Sequence, residues 1–283
     1  MMTSGNDNAV GQTRPVLHFA HANGFPSACY GRFLRRLLPA GAVLQVPLLC
    51  HDPAYPVNAG WTNMADEVAA SVRRQSRTPV IGIGHSMGGL STLIAAHRHP
   101  GLFSAVILMD PPVMNGLPGV MMGLAKLTGQ IDRVTPAGRS KHRREVWPDR
   151  AAARASLESK ALFRDFEPEC FDDYLRHGLV DVPEGVRLRY SAAAEVAVFR
   201  NGPWNMWDYR HPTGLPGAVI TGEDSEFSSL GTHERLARQQ HFQHLQSPGG
   251  HMFPLEYPDE AADHVIGLIQ AMTAGQPLLE MAE

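Results

Sequence analysis

Residues 79–90 read Pro-Val-Ile-Gly-Ile-Gly-His-Ser-Met-Gly-Gly-Leu. Val80, Ile81 and Ile83 make a short apolar run with the pattern of a strand buried on both faces. The run breaks at Gly84-His85-Ser86-Met87-Gly88, a G-x-S-x-G. It continues into a segment where Leu90, Leu93, Ile94 and Ala95 repeat at helical spacing and Pro100 stops the helix. Strand, tight turn and helix form the context in which this motif carries chemistry. The serine sits on a strained turn with its hydroxyl exposed, and only glycine fits two residues away on either side. The following helix points its positive end at the same spot, which favours an anion developing there. Ser86 reads as a nucleophile.

On the N-terminal side, Pro15–Ala20 predicts a strand that runs into His21-Ala22-Asn23-Gly24-Phe25-Pro26. A helix with Tyr30, Phe33, Leu34, Leu37 and Leu38 on one face follows, then a second strand over Val43–Val46. The next helix, around Trp61–Arg74, carries Met64, Val68 and Val72 at i, i+4 and i+8. Beyond the motif, Ala105–Met109 predicts a strand that delivers Asp110 at its end. This alternation implies right-handed βαβ units and a parallel sheet.

From 113 to 212 the alternation stops. Helical pieces interleaved with Trp147, Phe163, Phe166, Phe171, Trp204 and Trp207 predict a mostly helical cap lying over the sheet. Gly217–Thr221 and Phe242–Gln246 resume the strands. Gly249-Gly250-His251-Met252-Phe253-Pro254 and a closing helix come last. The expected organisation is an α/β core over 14–112 and 213–275, a cap over 113–212, and a loose tail over 1–13.

The 283 residues, 43% of them hydrophobic, suffice for a sizeable core, and a net charge of −3 gives no electrostatic case for nucleic acid or a membrane surface. Three widely spaced cysteines, Cys29, Cys50 and Cys170, suit a reducing compartment better than a disulfide framework. The N-terminus has no apolar run typical of a signal peptide, and no window approaches a membrane span, so a cytoplasmic protein is expected.

Together, GHSMGG at 84–89, the His21–Pro26 loop and GGHMFPLEYPDE at 249–260 resemble the α/β-hydrolase fold family, specifically its capped serine members. The resemblance covers roughly 15–112 and 214–275. Only about fourteen residues precede Val16, so the mostly parallel sheet should be trimmed to six strands, with the cap after the fourth. The resemblance assigns His251 the role of base. Histidine suits it because it accepts and returns protons near neutral pH. A third group must orient the imidazole. The family's usual place for that acid, three residues after a glycine, holds Ser225 here. Asp110, at the end of the strand after the motif helix, is favoured, with Glu226 and Asp224 as alternatives. Met87 and Asn23 are the expected backbone donors to an oxyanion, with Phe25 the alternative to Asn23.

The implied activity is hydrolysis of a carboxylic ester through an acyl-enzyme, on a small-molecule acyl substrate, with no metal or cofactor. Alternatives are a thioesterase, a carbon–carbon bond hydrolase with the same triad, or a non-catalytic ligand receptor on the same fold. His97 and His99 read as a solvated helix end, His85 as packing, and the basic run Arg139–Arg144 as a solvated face. Met114, Met121 and Met122 read as core.

Overall fold

The computed structural model describes residues 14–274; the expected tail, 1–13, lies outside them. Strand β1 (Val16–Ala20) leads through α1 (Gly31–Leu37) to β2 (Ala42–Gln45). Helix α2 (Thr62–Gln75), β3 (Val80–His85), α3 (Met87–Arg98) and β4 (Phe103–Met109) follow.

The insertion then contributes α4 (Leu117–Leu127), α5 (Ile131–Val134), α6 (Ala137–Ser140), β5 (Val146–Trp147), α7 (Arg150–Glu158) and α8 (Pro168–His177). It closes with β6 (Leu179–Val182), β7 (Gly185–Leu188) and α9 (Ala192–Asn201). The chain returns to the sheet with β8 (Gly217–Gly222), α10 (Thr232–Gln240) and β9 (Gln243–Ser247), and ends in α11 (Phe253–Glu256) and α12 (Pro258–Thr273).

The main sheet has six strands in the order β2-β1-β3-β4-β8-β9, every pairing parallel. The order reverses at β1, so the crevice above the carboxyl ends of β1 and β3 is the topological switch point where open α/β sheets place their sites. Both faces of the sheet are covered. Leu17, Phe19, Ile81, Ile83, Ile107 and Ile220 pack toward α1 and α12, while Val80, Val106, Leu108 and Val219 pack toward α2, α3 and α10. Alternate residues of each strand thus feed opposite cores, and both faces need apolar side chains.

The insertion contains strands as well as helices. β6 and β7 form a hairpin and β5 pairs with β7, giving a three-stranded antiparallel sheet. Val186 and Leu188 point inward while Arg187 points out, over strands too short to register as a period. The aromatic residues Phe163, Phe166 and Tyr174 gather around Phe25 at ring separations of 6.1, 5.9 and 5.1 Å. They fasten the insertion to the loop that follows β1.

Candidate active site

Ser86 stands between β3 and α3 with φ 53° and ψ −121°, a left-handed backbone that a side chain adopts only under strain. Its neighbours explain how the strain is held. A Cβ on Gly84 would stand 2.5 Å from the Gly88 carbonyl oxygen, and one on Gly88 would collide with the Ala20 carbonyl. The Ser86 N–H donates to the Met109 carbonyl at 2.8 Å, tying the turn to β4.

His251 lies in the loop after β9 with its ring between two partners. Nε2 is 2.9 Å from Ser86 Oγ, and Nδ1 is 2.5 Å from Asp110 Oδ2. Asp110 is fully buried at the end of β4. Burial alone would raise its carboxyl pKa. The hydrogen bond from His251, the charges of His251 and His233, and the Ser225 hydroxyl outweigh that and hold it below the usual carboxylate range. Ser225 Oγ donates to Asp110 Oδ2 at 2.6 Å and the Gly222 N–H donates to Oδ1 at 3.3 Å. Ser225, at the position where the resemblance places an acid, therefore braces the Asp110 carboxylate. Asp224 and Glu226 are exposed, and among the described residues neither carboxylate bonds to His251.

His85 does more than fill space. Its Nε2 faces the His251 carbonyl at 2.8 Å, and a carbonyl only accepts, so Nε2 carries the proton. Nδ1 is then the acceptor of a hydrogen bond from the Tyr30 hydroxyl at 2.7 Å, while Tyr30 Oη accepts one from the Ala22 N–H at 3.4 Å. Burial, with His251 nearby, lowers the His85 pKa to about 3, so the ring stays neutral. The chain of bonds links the loop after β1 to the His251 backbone. No sequence motif announces it.

The loop after β1 is fixed in the same way. The Leu49 N–H donates to His21 Nε2 at 2.8 Å, which leaves the proton on Nδ1 to bond the Ala22 carbonyl at 2.8 Å. Phe25 N–H is spent on the Ala22 carbonyl at 3.2 Å. Asn23 N–H and Met87 N–H, the latter at the first turn of α3, have no hydrogen-bond acceptor among the described residues. The Asn23 side chain bonds the Glu195 carbonyl of α9 at 3.3 Å. The Glu195 carboxylate in turn pairs with Arg143 and accepts the Ser140 hydroxyl. Arg143, in a run that reads as a solvated face, turns inward here because Glu195 is its partner. His99 likewise pairs with Asp66 at 2.7 Å, and the His97 ring meets that of Tyr209 at a tilt.

Residues 19–264 match the model of the alpha/beta hydrolase family. The chain belongs to that family. As a member it resembles the type I acyl-CoA thioesterase mpaH of Penicillium roqueforti, at 31% identity over 130 residues. That match covers 44% of this chain and 28% of the relative, so the chain spans less than a third of that thioesterase. It also resembles the abhydrolase domain-containing protein AFT2-1 of Alternaria alternata, at 28% identity over 68% of this chain and 83% of the relative. In structure, an E-2-(acetamidomethylene)succinate hydrolase superposes with a TM-score of 0.72 at 22% identity, covering 91% of this chain and 92% of that one.

Proposed function

We propose that this hydrolase cleaves a carboxylic ester through an acyl-enzyme, with Ser86 as nucleophile, His251 as base and Asp110 as its orienting acid. One observation carries the reading: a single imidazole bridges Ser86 Oγ and Asp110 Oδ2. Asp110 accepts a hydrogen bond from Nδ1–H, which leaves the Nε2 lone pair facing the serine. As Ser86 Oγ bonds the acyl carbon, Nε2 takes its proton. The carbonyl oxygen becomes an oxyanion held by the Met87 and Asn23 N–H groups. His251 then returns the proton to the leaving oxygen, and the bond to it breaks. Water, deprotonated by His251, attacks the acyl carbon; the bond to Ser86 Oγ breaks, His251 returns the proton to Oγ, and the acid is released.

The same steps serve a thioester, whose leaving group is a thiolate. The resemblance to proteins named as acyl-CoA thioesterases favours keeping that reading beside the first. A panel of p-nitrophenyl esters of rising acyl length, run beside acyl-CoAs, separates the two by their kcat/KM. Ser86→Ala should lose about 10⁴-fold or more in turnover on whichever series is active. Turnover that survives this change overturns the assignment.

A further inference from the structure

Helix α4 is an amphipathic helix turned inside out. Its buried residues are Gly119, Gly123 and Ala125. A Cβ at Gly119 would stand 2.5 Å from the Trp204 carbonyl oxygen, and one at Gly123 would stand 2.7 Å from the Trp204 ring. The large residues face away: Leu117 is 71% exposed, Val120 64%, Met121 64%, Leu124 60% and Leu127 87%. At about 100° per residue, these five fall in one stripe roughly 120° wide. An apolar stripe of this kind marks a contact surface.

The charges around the stripe are mainly basic. No Asp or Glu lies between Asp110 and Asp132. Arg235 reaches Asn115 Oδ1 at 3.2 Å beside the start of the helix, and Lys126 bonds the Gly202 carbonyl at 2.7 Å near its end. Arg133 is exposed just beyond, while Asp132 is engaged by two of the Arg200 nitrogens, Nε and Nη2, at 2.7 and 2.5 Å. In the segment that follows Trp204, Trp207 is exposed with the Arg210 guanidinium 4.1 Å over its ring, and Asp208 is the acidic residue there. With Arg143 paired to Glu195 and Lys126 turned to the Gly202 carbonyl, 111–144 still carries Arg133, Arg139, Lys141 and Arg144 against Asp132, which Arg200 engages, within a protein of net charge −3. The whole-chain charge, which argues against a membrane surface, averages this region away.

A second copy packed through the same stripe would bring like charges together. An anionic lipid surface meets them with the favourable sign, and an aliphatic stripe beside tryptophan and arginine is what an interfacial helix offers it. We propose that α4 docks this protein on an anionic lipid surface, lying in the headgroup plane with Leu117, Val120, Leu124 and Leu127 inserted. At 11 residues α4 lies on such a surface, and no described helix is long and apolar enough to cross one.

The test needs no substrate. The full chain is sedimented with vesicles of phosphatidylcholine alone and of phosphatidylcholine mixed with phosphatidylglycerol, and its mass in solution is measured by light scattering. The wild type should partition onto the mixed vesicles, more weakly as salt rises, and much less onto phosphatidylcholine alone. The double change Leu117→Asp with Leu124→Asp should reduce partitioning by at least about tenfold. Arg133→Glu, outside the helix, should reduce it about tenfold and serves alone if the double variant does not fold. Three results overturn the proposal: no partitioning of the wild type onto mixed vesicles, equal partitioning of folded variants, or a dimer that Leu124→Asp dissociates. The last would place a second copy on the stripe.

Discussion

Helix α3 buries Leu90, Leu93 and Ile94 completely, whereas α4 leaves Leu117, Val120 and Leu124 mostly in solvent. Both helices use glycine for a close approach, Gly88 against Ala20 and Gly119 against Trp204. The difference lies in what surrounds them. α3 has the sheet on one side and α2 on the other, so every face is covered and large residues can point almost anywhere. α4 buries only glycine and alanine, Gly119, Gly123 and Ala125, against the protein. Spacing identifies which residues share a face; it does not identify the medium that face meets. Met121, which reads as core, is exposed for this reason.

The comparison breaks most severely at the site that β4 and α3 support. Asp110→Asn should cost about 10⁴-fold in turnover, with a cooperative melt retained, because the imidazole loses the acceptor that sets its tautomer. Asp224→Asn and Glu226→Gln should stay near wild type. If Asp110→Asn costs less than about tenfold while either of those costs more, the acid has been assigned to the wrong residue.

Packing gives the next largest effect. Leu90→Ala should destabilise by about 3 kcal/mol, the cost of a cavity in a fully packed layer. Leu124→Ala should stay within about 0.5 kcal/mol in the free protein, since it empties no core space. Chemical denaturation of both variants measures the contrast. Equal losses would mean that α4 is buried in solution.

A third contrast sits on α2. Glu67 is buried with its Oε2 accepting the Cys50 N–H at 3.0 Å, and burial pushes its pKa up to about 7. Between the ordinary carboxylate range and 7 the folded state binds the extra proton. Stability therefore falls as pH rises through that window, and the full cost is present above it. Glu67→Gln should raise stability by about 2 kcal/mol at alkaline pH, and the gain should vanish in acid where both states are protonated. A gain independent of pH would contradict the burial argument.

The smallest effect is expected at Tyr30. Tyr30→Phe keeps the ring and removes the hydroxyl between Ala22 and His85, so it should cost about 1 kcal/mol in stability. It should also lower kcat several-fold with KM little changed, because it loosens the His251 backbone rather than a substrate contact. A raised KM with unchanged kcat would place Tyr30 in binding instead.

Much of this arrangement was legible in the sequence, for reasons that are local. The serine turn leaves a strand, two glycines and a helix within twelve residues, and His251 and Asp110 each follow a strand that sequence pattern can find. The contacts of His85 were not legible. They join residues 55 and 166 positions apart, and no short-range pattern carries such pairings. Ser225 looked like a missing acid, because its service to Asp110 depends on two loops meeting in space. The strands β6 and β7 escaped because four residues on either side of Pro183-Glu184 are too few to show alternation.

The most direct test of the central claim is covalent. A fluorophosphonate probe should leave one adduct, on the peptide carrying Ser86, because a serine activated by His251 attacks phosphorus as it attacks a carbonyl carbon. Ser86→Ala should abolish the adduct and His251→Ala should slow its formation by orders of magnitude. An adduct that persists in Ser86→Ala, or labelling of His251→Ala at the wild-type rate, would contradict the account.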